Sequence, residues 1–341
     1  LVGLGAAQRF QLLQRELVRG RAQEVAVRVR LICYDLLLRA EEVRLTQRSI
    51  ERVQQALSET EARRRAGMAT EYDVLRLKVE LANLEPNLLQ ASNALASARR
   101  QLAIELVIDE PQRLRLKPSI SLTDTTRPTQ MSFIPEDSTK ALIAEAQRQR
   151  SDLRQLRDLI DLRATEVQLK KVEYLPTVSL FGSWDVQAQQ NGGAKFFGDD
   201  RSRATSKLAG IRINLPIFTG LQRDARVDQR RAVLRQAQVQ AQLLQDQAAA
   251  EIRDLIARRD ENAARILAQR LAVSQANLGF QITIARYRRG VGSQLEMTDA
   301  EVALRQSEFN HAQAAHDLLA TQAQLELALG RVNPVDDGME E

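Results

Sequence analysis

Cysteine occurs once in the 341 residues, so no internal disulfide can form. Cys33 lies in the apolar patch Leu31-Ile32-Cys33-Tyr34 and reads as a packed thiol. Histidine occurs only as His311 and His316. Five apart on a helix, the two diverge by about 140° and make no metal pair. There is no nucleophile elbow, phosphate loop or Cys/His cluster, so the sequence implies no catalytic residue, no metal and no cofactor. Aromatics make up only 4% of the chain, and none interleave with the basic runs. The net charge of +5 comes from 49 basic and 44 acidic residues mixed along the same stretches. That pattern indicates solvated helix faces with i,i+4 pairs, and no nucleic-acid partner. No apolar run approaches the roughly 18 residues of a membrane-spanning helix.

Proline is also scarce, and four of the eight prolines fall between residues 107 and 138. What remains is rich in Gln, Ala, Arg, Leu and Glu, a composition of long helices and coiled coil. The chain also repeats itself. Arg65-Ala66-Gly67-Met68-Ala69-Thr70-Glu71-Tyr72-Asp73-Val74 returns in outline as Arg288-Arg289-Gly290-Val291-Gly292-Ser293-Gln294-Leu295-Glu296-Met297. Gly67 and Gly290 are 223 residues apart (290 − 67), and the same offset lays Val79 on Val302, Leu102 on Leu325 and Leu106 on Leu329. Each copy joins two helix-like runs, so the repeat is a helical hairpin with a glycine tip.

The first repeat spans residues 1–106. Residues 6–65 read as one helix with Gly20 its weak point. After the tip, Val74, Leu77, Leu81, Leu84, Leu88, Ala91, Leu95, Ala98 and Leu102 alternate steps of three and four, a seam of period 3.5. Pro86 falls inside that run and should kink the helix or open its hydrogen bonding. Residues 107–138 form a connector between repeats. The second repeat, 139–331, starts with a helix over 139–173. The period then switches to two over 174–187 and again over 206–218, predicting strands. On the first, Val178, Leu180, Trp184 and Val186 alternate with Thr177, Ser179, Ser183 and Asp185, with Phe181 the exception; on the second, Ile211, Ile213, Leu215 and Ile217 alternate with Arg212, Asn214 and Pro216. Strands apolar on one side and polar on the other suit a membrane barrel, with the polar stretch between them as its loop. A plain two-stranded hairpin on a soluble domain is the alternative, but it needs a cover for its apolar face. A long helix over 221–288 follows, reaching on the order of 100 Å, then a tip near Gly290 and a helix over 294–331. There Ala315, Leu318, Leu325 and Leu329 share a seam that Gln322 interrupts. An acidic tail, 332–341, ends the chain.

This layout resembles the TolC-like outer-membrane efflux (channel-tunnel) family. Tyr174-Leu175-Pro176-Thr177-Val178-Ser179-Leu180 is similar to the family's entry into the first strand of a half. Asn214-Leu215-Pro216-Ile217-Phe218-Thr219-Gly220 is similar to the exit from its second strand. Ala285-Arg286-Tyr287-Arg288-Arg289-Gly290, followed by Glu296-Met297-Thr298-Asp299-Ala300, resembles the periplasmic tip, and Leu325-Glu326-Leu327-Ala328-Leu329-Gly330 the family's ending. The resemblance implies a mainly α fold: long antiparallel coiled-coil hairpins in two repeats that form an α-barrel, with a membrane β-hairpin contributing to a trimeric β-barrel. It implies a homotrimer in outer-membrane lipid, extending into the periplasm and working with a periplasmic adaptor and an inner-membrane transporter. The implied function is the exit duct of a tripartite efflux pump or type I secretion system, with no enzymatic step. At the repeat offset, Leu1 aligns with Asp224, so the first half lacks counterparts of the helix and strand pair at 139–223. The expectation is a chain shortened at its N-terminus, or one whose leader has been removed.

Gly67 and Gly290 suit tips that need a positive φ. Thr70 and Ser293 suit helix N-caps, and Asp73 is the first-repeat counterpart of Glu296. By resemblance, Gly67, Thr70, Asp73, Gly290 and Ser293 mark the adaptor contacts. By resemblance again, Tyr287, Glu296 and Asp299 belong to the periplasmic constriction, with the two acids ringing the entrance and Tyr287 helping to hold it closed. Ordinary helix-dipole acids and ordinary packing are the plainer readings of the same residues. Arg63, Arg64 and Arg65 read as a solvated basic run, or as partners for acids across the tip or on the adaptor. Trp184 suits a lipid interface. The alternatives to a duct are a periplasmic adaptor, which should carry small β-rich domains flanking one hairpin, and a soluble coiled-coil scaffold, which leaves the strand pair unexplained.

Overall fold

The structure, a computed structural model, describes residues 2–111, 134–188 and 203–332. Six helices and two strands follow in the order α1 (Val2–Arg65), α2 (Glu71–Glu105), α3 (Glu136–Gln149), α4 (Ser151–Val172), β1 (Thr177–Ala188), β2 (Arg203–Asn214), α5 (Gln222–Arg288) and α6 (Gln294–Ala328). The repeat is visible in these bounds. Adding 223 to the ends of α2 gives the ends of α6, and adding it to Arg65 gives Arg288, where α5 stops. Most of the connector, the loop between the strands and most of the acidic tail lie outside the described residues.

The chain divides into two compact units. The larger holds residues 16–154 and 244–341. Its core is a series of seams, as thin Ala/Leu faces dictate. Leu37, Leu38 and Leu45 of α1 pack with Ile266 of α5 and Ala315, Leu318 and Leu319 of α6. Nearer the tips Val53, Leu77, Leu84, Phe280, Tyr287, Met297 and Leu304 bring α1, α2, α5 and α6 into one cluster. A third cluster sets Ala146 of α3 against Ile252, Leu255 and Ile256 of α5 and Leu325, Ala328 and Leu329 of α6. Of the six buried residues on α2, Val74, Leu77, Leu84, Ala98 and Leu102 belong to the 3.5-residue seam and Ala103 lies beside it. The helix continues through Pro86, which sits on its exposed side, and α1 continues through Gly20.

The single helix expected over 139–173 is two. It starts earlier, at Glu136, and breaks at Arg150, whose ψ of 127° leaves the helical region. The apolar spacing runs straight across this point, so the break has a tertiary origin. Gly330 presses its backbone against Gln149 and Arg150 there: a methyl on Gly330 would lie 2.7 Å from the Gln149 carbonyl carbon. The Arg150 side chain then spreads to Asp152 (2.9 Å), Glu251 (2.6 Å) and the Ala328 carbonyl (3.4 Å).

The smaller unit holds residues 1–15 and 155–243. Glu166 and Glu173 of α4 and its C-terminal turn meet Arg230 and Arg226 of α5. Tyr174 donates to Asp224 at 2.6 Å, which closes the base of the strand pair. β1 and β2 pair antiparallel from Thr177↔Asn214 to Ala188↔Arg203. Both strands are shifted from the bounds expected. β1 starts only after Pro176, and β2 stops at Asn214, before Leu215 and Pro216, because proline has no N–H for the ladder.

Candidate functional site

Both tips are built by one device. At the end of α1, Met68 N–H donates to the Arg63 carbonyl (2.8 Å) and Gly67 N–H to that of Arg64 (2.9 Å). At the end of α5, Val291 N–H donates to Arg286 (3.1 Å) and Gly290 N–H to Tyr287 (2.9 Å). This paired bonding satisfies the last helical carbonyls and forces the residue after the cap into the left-handed region. Gly67 and Gly290 take φ of 74° and 78° there.

The helices that leave the tips are capped differently. The Thr70 hydroxyl accepts from Asp73 N–H (3.2 Å) and donates to the Asp73 carboxylate (2.7 Å), which in turn accepts from Thr70 N–H (2.9 Å). Asp73 is thus consumed within a capping box. Ser293 accepts from Glu296 N–H at 3.1 Å, but the Glu296 carboxylate lies toward Arg286 instead, 3.7 Å away and half-exposed. Asp299, one turn on, is exposed. The second tip therefore leaves outside its cap the acid whose counterpart the first binds, and adds Asp299 where the first repeat has Arg76.

Tyr287 is buried, so it does not share an exposed surface with Glu296 and Asp299. Its hydroxyl meets that of Thr60 on α1 at 2.8 Å. The Arg63 guanidinium lies 4.8 Å from the centre of its ring and donates to the carbonyls of Tyr287 (2.8 Å) and Arg288 (2.9 Å). A cation there neutralises the negative end of α5. Arg63 is thus no part of a solvated run, whereas Arg64 pairs with Glu71 across the first tip. One turn before Arg63, Glu59 binds Arg288 through both oxygens (2.6 and 3.0 Å). That bidentate hydrogen bond holds the Glu59 carboxyl below its ordinary value of 4.5.

Further along α1, Ser49 donates to buried Glu301 of α6 at 2.6 Å. Arg52 reaches Glu301 (3.1 Å) and Glu308 (3.2 Å) from the same helix. Sequence reasoning missed Thr60, Ser49, Arg52 and Glu301. Their signal was a heptad run of small hydroxyls, Thr46, Ser49 and Thr60, on a seam otherwise filled by Val53, which marks a buried face able to receive polar partners. Among the described residues no group of three or more His, Cys, Asp or Glu is placed to hold a metal, and no helix is long and apolar enough to cross a membrane.

On the strand pair, Val178 faces Ile213 and Leu180 faces Ile211. All four are exposed, Leu180 at 84%. Trp184 follows on the same face, 73% exposed, with the Lys207 ammonium 5.7 Å from its ring. Such a face needs a cover.

The profile of a family described as "Outer membrane efflux protein" matches residues 142–331 of this chain. Outer membrane protein TolC of Escherichia coli K12 is 24% identical over 297 residues, which cover 85% of this chain and 58% of TolC. Alkaline protease secretion protein AprF of Pseudomonas aeruginosa is 23% identical over 334 residues, 97% of this chain and 66% of AprF. The chain thus spans less than two thirds of the length of these curated relatives. The crystal structure of outer membrane protein VceC from Vibrio cholerae matches with a TM-score of 0.77 at 21% identity, covering 96% of this chain and 75% of VceC. The fold is therefore that of these helical channel proteins.

Proposed function

The chain belongs to the outer membrane efflux protein family, and from that premise we propose that it acts as the exit duct of a tripartite efflux pump or type I secretion system. The family is one of outer-membrane transport channels. Conduction here is passive, with no enzymatic step. The observation that carries this reading is the exposed apolar face of β1 and β2. Copies of this hairpin contributing to one closed barrel turn that face to lipid and leave no strand edge. A homotrimer supplies the copies, and a periplasmic adaptor and inner-membrane transporter complete the path. The adaptor and scaffold alternatives gain nothing from the structure: neither gives the strand pair a cover.

In this reading the tips are the periplasmic gate. Arg63 and Thr60 hold the end of α5 to α1 through Tyr287, and Glu59 adds a grip on Arg288. Glu296 and Asp299, repeated around the axis, ring the entrance with negative charge. Gly67, Thr70, Asp73, Gly290 and Ser293 shape the turns that the adaptor meets. Opening separates α5 from α1 at these contacts.

The test is single-channel conductance of the full-length polypeptide in planar bilayers, with multivalent cations added from the tip side. Block by those cations, relieved in the double variant Glu296→Ala, Asp299→Ala, is the expected result. Unaltered block discards the acidic ring. A soluble elongated oligomer that forms no pore discards the duct.

A further inference from the structure

The second face of the strand pair carries Thr177, Ser179, Phe181, Ser183 and Asp185 on β1 and Ser206, Leu208, Gly210, Arg212 and Asn214 on β2. If the apolar face meets lipid, as the exit-duct reading on which this inference rests requires, this face lines the lumen. Phe181 is the large aromatic on it, and its position is built. Its partner across the ladder is Gly210, and its ring lies on that glycine. A methyl there would stand 3.0 Å from Cζ and 3.1 Å from Cε1 of the ring. Gly210 is thus a bare patch of ladder on which the aromatic lies, and a side chain there would push the ring outward by a few tenths of an ångström.

Arg212 is two residues along the same face. Its guanidinium carbon lies 4.9 Å from the centre of the Phe181 ring. The ring face attracts the cation and fixes where it stands. Arg212 makes no ion pair among the described residues, although the chain is otherwise laced with them. The acid on this face, Asp185, pairs with Ser206. That is six residues down β2 from Arg212, or roughly 20 Å at about 3.3 Å per residue, against a screening length of about 8–10 Å at ordinary salt. Lys207, the other cation on β2 with a described side chain, belongs to the opposite face with Trp184. Arg212 is therefore a positive charge without an ion-pair partner among the described residues, held in place by the Phe181 ring, and in the exit-duct reading it faces the lumen.

We propose that the Phe181–Arg212 stack is an anion-selecting collar in the outer-membrane part of the duct. Repeated around the axis, it sets guanidinium groups at one level of the lumen. They favour cargo carrying carboxylate or phosphate groups, whose oxygens match the guanidinium fork. The collar opposes in sign the acidic ring proposed for the entrance.

The experiment is the reversal potential of the full-length channel in planar bilayers under a KCl gradient, together with block by citrate added from the barrel side. The wild-type channel is expected to be blocked by citrate. Arg212→Gln should lower the chloride-to-potassium permeability ratio by about threefold and weaken the block, Arg212→Lys should retain most of both, and Phe181→Leu should lie between, since the charge stays but its support goes. The wild-type channel gives a readout that needs no variant: raising KCl from 0.1 to 1 M shortens the screening length from about 10 to about 3 Å and should abolish citrate block. An Arg212→Gln channel of normal conductance with unchanged ratio and block overturns the collar and leaves the duct standing. Citrate block that survives high salt also overturns the collar. Failure of the wild-type chain to form any pore removes the duct reading, and the collar with it.

Discussion

The two hairpins of this chain end in the same backbone motif with different residues in it, and the difference separates what helix ends require from what packing requires. After α2, Ile108 N–H donates to the Ala103 carbonyl (2.8 Å) and Val107 N–H to that of Ile104 (3.2 Å). After α6, Arg331 N–H donates to Glu326 (3.0 Å) and Gly330 N–H to Leu327 (2.9 Å). Val107 and Gly330 are repeat partners (107 + 223 = 330), and both lie in the left-handed region, at φ of 55° and 72°. The bonding pattern alone dictates that conformation. Residue type is a second decision. Val107 is 88% exposed, so nothing is pressed on its side chain. Gly330 has the backbone of Gln149 and Arg150 against it, where any side chain would collide.

The largest effect expected from this comparison is at Gly330. Gly330→Ala meets both a left-handed penalty of roughly 1–2 kcal/mol and a backbone collision at 2.7–2.9 Å that no side-chain rotation relieves. A loss above about 3 kcal/mol is expected, read as a fall in melting temperature by circular dichroism. Gly67→Ala is the control. Its φ is equally left-handed, but nothing lies within 4 Å, so a loss of about 1 kcal/mol is expected. Equal losses at the two sites would break the distinction between backbone demand and packing demand.

The tips sharpen the same contrast. The first is closed by its own capping box, the second by α1. Tyr287→Phe removes the partner of the buried Thr60 hydroxyl, and an unsatisfied buried hydroxyl costs about 1–3 kcal/mol. The same experiment should show the double variant Tyr287→Phe, Thr60→Val recovering most of that loss. Recovery separates an orphaned hydroxyl from a plain loss of packing, and its absence would mean that the Arg63 stack, not the hydroxyl pair, holds the second tip.

Much of this was legible beforehand. The glycine tips and the N-caps are local devices whose residue types announce them, and the seam of α2 follows from apolar spacing alone. The facing of the strand pair was legible too, because alternation assigns a side to every residue. The end of β2 was read four residues too far, at 218 instead of Asn214, because Leu215 and Ile217 keep the alternation going past a proline that ends the ladder, while its start was read three residues late, at 206 instead of Arg203. The break at Arg150 was invisible because its cause, Gly330, is far away in sequence. Arg63 was misread for a related reason. Three consecutive arginines look alike until α5 arrives beside one of them, and nothing near residue 63 says which carbonyls it will cap.

The caps yield a smaller effect. Thr70→Ala and Ser293→Ala should each cost about 1 kcal/mol, with Thr70 the costlier, because its hydroxyl also donates to the Asp73 carboxylate, a bond that the second tip lacks. Chemical denaturation of the two variants side by side checks the order. Ser293 costing more would mean that the pairing of Glu296 with Arg286 depends on the cap and is not a free choice of that side chain.

The smallest change, and the one opposite in sign, belongs to Val107. Its β-branched side chain sits in a conformation that glycine adopts without cost. Val107→Gly should therefore stabilise the end of α2. The gain is limited to about 0.5–1 kcal/mol, because glycine also loosens the unfolded chain, and almost no buried apolar contact is given up at a site 88% exposed. The converse exchange at its repeat partner, Gly330→Val, should be worse than Gly330→Ala, since the same αL backbone would then carry two more carbons into the Gln149–Arg150 peptide. If Val107→Gly destabilises instead, that valine is held by a contact that only the assembled protein provides. Hydrogen exchange at Val107 and Ile108 N–H, whose bonds to Ile104 and Ala103 define the motif, would then slow on assembly in the wild type and not in the variant.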